Sequence, residues 1–522
     1  MKISILDCTL RDGGYVNNFN FGVNRIHLIK EKLRDANIEI IECGFLQSGK
    51  NDPGRTLYGR VEQIQLPQKR DGQMYVAMIT HNDIGAAEVA PYQPGYVDGL
   101  RLSFHNHGSE WEDTKCLARK MMDKGYKVFI QPVGTAFYTD EELLKLIKDV
   151  NELDPFAFYI VDTLGSMYKN DLLRKFFLVE HNLNKNICLG FHSHNNMQLS
   201  FANAMTLLEL HTDRHIILDS SVFGMGRGAG NLNTELIAHF INSNIDKRYD
   251  LVPILELIDD AILPIYKYTP WGFSEPYYLS AIMGVHPNHA SYLIDKQSVG
   301  MAKIFDLLGR LPVSNRHIFV KQDIEKLYHA EMANNVEDSA AIEELSDKIR
   351  DRDVLVIAPG GSVRTHSDTI NKYIKSKRPF VVSLNFVPDG ISPDLVFVSN
   401  RKRFEQLGRR DLSIAVTSNV NAEGITGAYV INYDSLIHGE SDSSGIMVLG
   451  LLIRLGAKHA TLAGYDGFTV GSNHYNESLD NYMPSETAAS LNNSMHRRLR
   501  EVGKILPIEF ITPSVYKVKD DD

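Results

Sequence analysis

Short apolar runs alternate with amphipathic stretches over the first 240 residues of the chain. Eight of these runs are rich in β-branched and aromatic residues, which favours strands, and they cover residues 3–8, 38–44, 75–79, 99–104, 127–132, 156–162, 187–194 and 216–223. Helix-like segments fill most of the intervals, at residues 23–36, 114–125, 139–151, 199–211 and 232–242. Strands that alternate with helices form a parallel sheet, and eight such units in about 250 residues predict a closed (β/α)₈ barrel. An open doubly wound sheet is the alternative, although such sheets commonly have fewer strands.

The rest of the chain changes character twice. Residues 246–345 have the pattern of helices interrupted by aromatic and proline-rich stretches, and they predict a helical extension and linker after a barrel of residues 1–245. A second β/α pattern begins at residue 353, with predicted strands at 353–358, 380–384, 395–399, 413–417, 427–432, 459–463 and 508–511. This pattern predicts an open, Rossmann-like α/β domain over residues 346–522.

Composition narrows the class of protein. With 522 residues, of which 43% are hydrophobic and 23% charged, the chain is typical of a globular protein of two or three domains. Its net charge of −10 argues against a nucleic-acid-binding surface, and no apolar run approaches the roughly 20 residues of a membrane span. The four cysteines include no CxxC pair and lie in the first half of the chain, so we expect reduced thiols in a cytoplasmic protein.

Two histidines lie one residue apart at the end of the seventh predicted strand, in the run Gly190-Phe191-His192-Ser193-His194. Side chains at positions i and i+2 of a strand share a face, so both imidazoles can bind one divalent cation. Such a pair on a surface strand commonly has no ligand, but this one ends a barrel strand, where active sites form. Asp12 follows the first strand and can add a carboxylate oxygen. The sequence therefore predicts a divalent metal bound by Asp12, His192 and His194.

Three motifs follow the first, seventh and eighth predicted strands: Thr9-Leu10-Arg11-Asp12-Gly13, the paired histidines, and Gly226-Arg227-Gly228-Ala229-Gly230-Asn231. Together they resemble the DRE-type TIM-barrel metallolyase superfamily over about residues 1–300. That superfamily includes 4-hydroxy-2-oxovalerate aldolase, hydroxymethylglutaryl-CoA lyase, isopropylmalate synthase and homocitrate synthase. Within it, the run 191–199 and the helical extension are most similar to the oxovalerate aldolases.

The resemblance implies roles for residues at matching positions. Asp12, His192 and His194 would bind Mn²⁺ or Mg²⁺, and Asn231 matches a position that approaches the metal in some members. Arg11 would stabilise the enolate oxygen as negative charge develops there.

Three further residues belong to the expected pocket. Thr163 matches a hydroxyl that holds the substrate carboxylate. His105, at the end of the fourth strand, is expected to line the pocket, either in contact with substrate or as a polar barrel residue. Glu42, at the end of the second strand, leaves the same two interpretations open.

Two departures from the family pattern concern proton transfer. The oxovalerate aldolases have a histidine where this chain has Tyr15, and a tyrosine, with a reference pKa near 10, needs a nearby cation to act as a base. Tyr15 would otherwise orient the substrate. The family's tyrosine in the helical extension is replaced by His286, which we expect to take over proton transfer. Val222 occupies the position of the catalytic cysteine of the hydroxymethylglutaryl-CoA lyases, which argues against that activity.

The resemblance thus implies an aldolase or lyase whose partners are a 2-oxo acid, such as pyruvate, and an aldehyde. A Claisen-type synthase that uses an acyl-CoA is the alternative within the superfamily. A barrel that has lost catalysis and serves as a scaffold is a third possibility. We also expect a homo-oligomer.

The second domain has its own candidate site. Gly360, Gly361 and Ser362 follow a predicted strand and precede a helix, where glycines and a helix N-terminus favour phosphate, although an ordinary tight turn has the same sequence. Asp466 follows another strand, at the sheet edge where ligands bind. With the runs 383–386 and 393–397, this loop resembles Rossmann-like sialyltransferase-type domains of surface-glycan synthesis. That resemblance implies that the domain binds a nucleotide, a nucleotide sugar or a phosphorylated intermediate, in surface-glycan or sugar-acid metabolism. A bifunctional protein whose C-terminal domain transfers a nucleotide sugar is a further alternative. The domain could equally be a scaffold or an oligomerisation unit that binds no ligand.

Overall fold

The computed structural model of the chain describes residues 2–85, 88–105, 110–296, 299–313, 316, 318–332, 336–407, 412–420, 427–437, 443–469 and 485–517. Contacts divide the chain into two compact units. The first comprises Met1–Ala290 with Arg316–Phe319, and the second comprises Ser291–Asn315 with Val320–Asp522. The three-part division predicted at residues 245 and 345 stays a prediction, because contacts do not define which segments fold by themselves.

A closed barrel of eight parallel strands forms the first unit. Its strands are β1 Lys2–Asp7, β2 Ile40–Leu46, β4 Met74–Ile79, β5 Gly99–Phe104, β6 Lys127–Pro132, β7 Ala157–Asp162, β8 Cys188–Ser193 and β9 His215–Ser220. A two-residue strand, β3 Leu57–Tyr58, lies beside β2. Sequential strands are neighbours around the barrel, and β1 closes it by pairing with both β9 and β2. Each predicted strand overlaps one of these eight, and the predicted fold class is confirmed.

The last barrel strand is shorter than its sequence pattern predicts. The apolar run continues to residue 223, but β9 ends at Ser220 and Val222–Gly224 form a 3₁₀ turn. Phe223 has a φ of 55°, in the left-handed region, which a residue other than glycine does not adopt in a regular strand. An apolar pattern alone does not distinguish a buried turn from the strand that leads into it.

Helices cover the outside of the barrel: α1 Val23–Asp35, α2 Glu110–Asp123, α3 Asp140–Leu153, α4 Lys169–Asn182, α5 Ser200–Leu208 and α6 Thr234–Asn244. The cause is clearest in α3, where Leu143, Ile147 and Val150 are buried at helical spacing. Thr139 begins this helix with a capping box, since its hydroxyl accepts the amide of Glu142 and the Glu142 carboxylate accepts the amide of Thr139.

The barrel has two apolar layers. In β1, Ile3 and Ile5 belong to the layer between strands and helices, whereas Leu6, with Cys8 just after the strand, belongs to a smaller cluster of the barrel interior. Alternate residues of a strand point to opposite faces, so the strand supplies both layers. The four cysteines are free thiols, and Cys116 alone among them is exposed.

Helices follow the barrel: α7 Val252–Leu257, α8 Leu263–Tyr266, α9 Glu275–Met283, α10 Pro287–Lys296, α11 Met301–Gly309, α12 Lys321–Met332 and α13 Ser339–Ile349. A π-helical turn, Ile258–Ile262, joins α7 to α8. Across the described ranges, no helix combines the length and the apolar character that crossing a membrane requires.

The second unit contains an open parallel sheet of seven strands: β10 Asp353–Ile357, β11 Phe380–Leu384, β12 Leu395–Val398, β13 Ile414–Thr417, β14 Tyr429–Ile431, β15 His459–Ala463 and β16 Ile508–Phe510. Their order is β14-β13-β12-β11-β10-β15-β16. Strands β11 to β14 therefore extend the sheet on one side of β10, and β15 and β16 extend it on the other side. The accompanying helices are α14 Ser362–Thr365, α15 Ser367–Lys377, α16 Arg401–Leu407, α17 Ser444–Arg454 and α18 Ser485–Gly503.

Candidate metal centre

Three side chains meet at the carboxyl end of the barrel strands. His192 lies on β8, His194 follows the end of that strand, and Asp12 lies in the turn after β1. One ligand atom from each residue lies within 4.8 Å of the others, and all three residues are buried. The imidazole rings are 5.2 Å apart. The structure therefore brings together the three side chains that the sequence predicts as metal ligands.

Glycine allows the loop after β9 to approach Asp12. A Cβ atom on Gly226 would lie 2.6 Å from Oδ2 of Asp12 and 2.3 Å from Nδ2 of Asn231. Since real Cβ atoms essentially never approach so closely, a side chain at position 226 would push the loop away from the cluster. This contact gives a physical reason for the glycine that opens the third motif.

The charge of Asp12 is fixed by its neighbours. Its Oδ1 accepts a hydrogen bond from Nη1 of Arg11 at 2.6 Å. Burial alone would raise the pKa of Asp12, but Arg11 and the two imidazoles outweigh it and hold that pKa well below its usual range. The carboxylate is therefore ionised at neutral pH.

Asp219, on β9, orients His192. Nδ1 of His192 lies 3.0 Å from Oδ2 of Asp219, and the carboxylate can accept the proton of that nitrogen. Nε2 is then the nitrogen with the free lone pair, as in metal sites where a carboxylate fixes the tautomer of a ligand histidine. The sequence analysis missed Asp219.

His194 and Asn231 carry unpaired polar atoms. Nδ1 of His194 and Oδ1 of Asn231 are buried and have no hydrogen-bond partner within the described residues. Nδ1 of His194 lies 4.0 Å from Oδ2 of Asp12, to which Nδ2 of Asn231 donates at 2.7 Å. Burial lowers the pKa of His194 to about 4, although Asp12 opposes the shift, so the imidazole is neutral at pH 7.

These donors fit a divalent cation. Two imidazoles and a carboxylate bind divalent transition metals well. Buried polar atoms are almost always paired in folded proteins, so the unpaired atoms of His194 and Asn231 indicate a missing partner. The cluster therefore has the residue types and the unpaired donor atoms of a divalent metal site.

Arg11 lies beside the cluster with one group unused. Its Nε donates to Oε2 of Glu42 at 2.9 Å, and its Nη1 donates to Asp12. Nη2 is buried and has no partner in the part of the chain that the structure describes. The guanidinium is thus held by carboxylates at two of its three nitrogens.

Arg101, on β5, connects both sides of the centre and was also missed. It is completely buried, donates from Nη1 to Oε2 of Glu42 at 2.6 Å, and forms an ion pair through Nη2 with Asp219. Its guanidinium also lies over the ring of Tyr159, 5.0 Å from the centroid. Arg101 therefore links the carboxylate that holds Arg11 to the carboxylate that holds His192.

A cavity of about 460 Å³ opens at this end of the barrel. His194, Thr163 and His105 all belong to its lining. The hydroxyl of Thr163 accepts the amide proton of Gly134 at 2.8 Å, which fixes its position. His105 is exposed, and its amide donates to the carboxylate of Glu110 at 2.6 Å. Both predicted pocket residues, Thr163 and His105, thus line the same cavity as His194, a candidate metal ligand.

Tyr15 lies at the edge of the centre. Its side chain is 46% exposed and packs edge-on against Phe19, and the guanidinium of Arg227 lies 5.6 Å from its ring centroid. The pKa of Tyr15 is raised, because desolvation outweighs the opposing effect of Arg11. The phenol therefore keeps its proton at neutral pH.

His286 lines the cavity, and both of its ring nitrogens have partners, since the amide of Asn288 donates to Nδ1 at 3.2 Å. Nη2 of Arg227 donates to Nε2 of His286 at 2.7 Å. Burial, with Arg227 as the next cause, lowers the pKa of His286 to about 3. The ring of Phe319 stacks on the imidazole at 5.7 Å. His286 is therefore a neutral hydrogen-bonding group of the cavity wall.

The glycine-rich loop of the second unit is held by a carboxylate. Oδ2 of Asp466 accepts the amide of Ser362 at 2.7 Å, and its Oδ1 accepts the Ser362 hydroxyl. A Cβ atom on Gly360 would lie 2.3 Å from the carbonyl oxygen of Gly464, so this glycine allows the two loops to pack closely. Gly361 precedes α14, a single four-residue turn. The predicted phosphate-binding residues are thus brought together, and Asp466 takes the donors that a phosphate would use.

Residues 100–260 match the HMGL-like protein family. The matched range lies within the first unit and includes both histidines of the centre. A protein named 4-hydroxy-2-oxovalerate aldolase from Pseudoalteromonas translucida is 25% identical over 276 residues, which cover 51% of this chain and 77% of that protein. A protein named oxaloacetate decarboxylase from Mycobacterium tuberculosis is 25% identical over 260 residues, which cover 47% of this chain and 74% of that protein.

Among solved structures, a hydroxymethylglutaryl-CoA lyase from Pseudomonas aeruginosa is 16% identical, covers 56% of this chain and 97% of its own, and has a TM-score of 0.41. The resemblance of the barrel to aldolases and lyases of this kind, predicted from three motifs, is confirmed by the family match and the curated relatives. The resemblance of residues 346–522 to sialyltransferase-type domains stays a prediction.

Proposed function

We propose that this protein is a divalent-metal-dependent carbon–carbon lyase or aldolase that acts on a 2-oxo acid. The convergence of Asp12, His192 and His194 beside the buried guanidinium of Arg11 is the observation that supports this proposal. The relatives named aldolase and decarboxylase support the same class of reaction.

Asp12, His192 and His194 would hold the cation, for which we propose Mn²⁺ or Mg²⁺. When bound, the cation would act as a Lewis acid toward the keto group of the substrate. Asn231 would add its amide oxygen, which is buried and unpaired within the described ranges. Asp219 would keep His192 in the tautomer that a ligand needs.

Arg11 would bind the substrate oxygen on which negative charge develops. When the C3 proton leaves, or the C3–C4 bond breaks, the electron pair moves onto the former keto oxygen. Nη2 of Arg11 is the donor left over for that oxygen, and Glu42 and Asp12 hold the guanidinium in place. A donor that is fixed before the reaction, in a site shielded from water, stabilises such charge strongly.

Thr163 and His105 would position the rest of the substrate. We propose that the Thr163 hydroxyl, held by the amide of Gly134, donates to the substrate carboxylate. His105 lines the same cavity and would donate to a more distant polar group.

Tyr15 and His286 are the candidates for moving the proton. Tyr15 retains its proton at neutral pH, so we propose that it orients substrate as a donor. His286 is neutral, and its Nε2 already accepts a hydrogen bond from Arg227. We propose that His286 takes the hydroxyl proton of the aldol product when Arg227 moves away from it. His286→Phe would then slow turnover more than it weakens substrate binding.

Exchange of the C3 protons of pyruvate tests the proposed function. In D₂O with Mn²⁺, we expect the full-length protein to exchange the methyl protons of pyruvate, measured by loss of the methyl signal in proton NMR. Excess EDTA should abolish the exchange, and Arg11→Lys should slow it about 100-fold, the size of effect that follows loss of one fixed donor. Absence of exchange with Mn²⁺ and Mg²⁺, together with turnover of acetyl-CoA and a 2-oxo acid, would favour the Claisen-type alternative.

We also propose that the second unit binds a nucleotide or nucleotide-sugar ligand, in surface-glycan or sugar-acid metabolism. A cavity of about 200 Å³ lined by Gly360, Asn385 and Asp466 supports the ligand site. Calorimetric titration of the full chain with cytidine and uridine nucleotides tests it. No detectable binding would contradict it.

A further inference from the structure

The cavity beside the candidate metal centre has two kinds of wall. Thr163, His194 and Asn196 supply polar groups. Much of the remaining lining is carbon-rich, and it comprises Val133, Phe137, Tyr138, Leu164, Ile318 and Phe319. Phe137 is 42% exposed and contributes its ring to this wall.

The cavity is larger than the smallest substrates of such chemistry require. Ligand pockets of about 300–1,000 Å³ hold drug-sized ligands, which are much larger than pyruvate and acetaldehyde together. The cavity measures about 460 Å³. A cavity within that range therefore leaves space for an aldehyde larger than acetaldehyde.

Charge in the cavity argues against an anionic occupant of that space. Arg227 is the single lysine or arginine of the lining, taken over the residues that the structure describes, and it donates to His286 and lies over the ring of Tyr15. Glu142 is the corresponding acid, and its carboxylate accepts both the amide and the hydroxyl of Thr139 at 2.8 Å. Phosphate recognition relies on arginine, lysine or helix N-termini. Pro287 of the lining begins α10 but has no N–H, and the next amide, of Asn288, donates to Nδ1 of His286 at 3.2 Å.

From these observations we propose that the aldehyde partner is uncharged, larger than acetaldehyde, and presents a flat or apolar face to Phe137 and Phe319. The proposal rests on the proposed function and names the class of its second substrate. In the aldol direction, C3 of the 2-oxo acid loses a proton and forms a bond to the aldehyde carbon, whose oxygen gains a proton. The product is a 4-hydroxy-2-oxo acid, and the reverse reaction releases the same aldehyde.

A comparison of three aldehydes as substrates tests the proposal. The full-length protein is supplied with Mn²⁺, pyruvate and, in separate reactions, acetaldehyde, benzaldehyde or glyceraldehyde 3-phosphate, and the product is quantified by mass spectrometry. We expect kcat/KM for benzaldehyde to exceed that for acetaldehyde at least tenfold, because one additional buried methylene in such a pocket is already worth about tenfold. The phosphorylated aldehyde should be the poorest substrate.

Variants of Phe137 and Phe319 test whether these two rings cause the preference for benzaldehyde. Phe137→Ala and Phe319→Ala should each reduce the ratio of benzaldehyde to acetaldehyde kcat/KM severalfold, mainly through the KM for benzaldehyde. Phe177→Ala is the matched control, because Phe177 lies on α4, is 44% exposed and is absent from the cavity lining. It should leave the ratio unchanged.

The outcomes distinguish an error in the assigned aldehyde from an error in the proposed function. If pyruvate exchanges its C3 protons but acetaldehyde or the phosphorylated aldehyde is preferred, the assignment of the acceptor is wrong and the proposed function stands. If neither exchange nor carbon–carbon bond formation occurs with Mn²⁺ or Mg²⁺, the proposed function fails and the acceptor proposal fails with it. An unchanged ratio in both wall variants would also overturn the assignment.

Discussion

A ligand histidine needs one nitrogen free and its ring held still, and Asp219 provides both conditions for His192. The hydrogen bond of 3.0 Å between them fixes the ring, and Nε2 is left for a metal. Asp219 itself has a lowered pKa; burial opposes the shift, and Arg101 is the largest cause of the lowering. The carboxylate is therefore ionised, and it remains paired with Arg101 if the histidine is removed.

We expect His192→Ala to abolish measurable Mn²⁺ binding while the barrel stays folded, because Asp219 keeps its ion pair with Arg101. Isothermal titration measures the affinity, and circular dichroism with thermal melting checks the fold. His27→Ala is the matched control, because the His27 side chain is 58% exposed on α1. Mn²⁺ binding by His192→Ala at the affinity of the unmodified protein would contradict the assignment of the centre.

Some of these residues were predictable and others were not, for a physical reason. His192 and His194 are expected on one face because residues two apart in a strand point the same way, and this spacing can be read from the sequence. Arg101 and Asp219 contact each other across 118 residues, inside two apolar strands. The available signal was the presence of a charge within each strand, which is costly unless it is paired. The partner could not be derived without the register of the barrel.

Strands β2, β5 and β9 each contribute one charged side chain to the barrel interior. Glu42, Arg101 and Asp219 form a continuous chain of ion pairs, with Arg101 in the middle. Breaking such a buried pair leaves an uncompensated charge, so the network resists change and holds both Arg11 and His192. Arg101 is thus a positioning residue, since it reaches the centre only through two carboxylates.

We expect Arg101→Lys to weaken Mn²⁺ affinity about tenfold, the lower end of the effect of outer-shell changes, because lysine cannot bridge both carboxylates as the planar guanidinium does. Asp219→Asn and Glu42→Gln should be non-additive in Mn²⁺ affinity, and this coupling should disappear in the Arg101→Lys background. Titration calorimetry of the cycle measures the coupling. Arg214→Lys is the control, because Arg214 is also buried and pairs with Glu180 instead. Additive effects in every background would show that Arg101 does not connect the two sides.

The loop after β10 shows how an element can be predicted while its role is not. The sequence predicts a strand, a glycine turn and a helix, and the structure contains all three. Asp466 bonds to Ser362 from 104 residues away. A carboxylate at that position would repel a phosphate, and it already accepts the amide at the start of the helix. Local pattern identifies the turn, and only the tertiary neighbour shows which group uses its donors.

At the scale of the molecule, two compact units fold around separate sheets. Chains with more than one such unit commonly do not unfold in a single two-state transition. The chain has two tryptophans, Trp111 and Trp271, and both lie in the barrel unit. Tryptophan fluorescence therefore follows the barrel alone, whereas far-ultraviolet circular dichroism follows both units.

His215, which begins β9, makes the barrel sensitive to acid. Its ring bonds to the hydroxyl of Ser4 at 2.9 Å, and burial, reinforced by Lys2 and Arg248, lowers its pKa from 6.5 to about 4. Between pH 6.5 and 4 the unfolded chain binds a proton at this position and the folded chain does not. The free energy of unfolding therefore falls as the pH falls through this window, and the contribution is intact above pH 6.5.

We expect His215→Gln, which retains a hydrogen-bonding partner for Ser4, to reduce this acid-induced loss by about 1–2 kcal/mol, a value lowered because part of the ring reaches solvent. Urea unfolding followed by tryptophan fluorescence at pH 7.0, 5.5 and 4.5 measures the loss in the barrel unit (nominal values chosen to span the window). His27→Gln, an exposed histidine on α1, should leave the pH dependence unchanged. His194 has a similarly lowered pKa, so part of the loss should persist in His215→Gln. A pH profile identical to that of the unmodified protein would show that His215 titrates alike in the folded and unfolded chains.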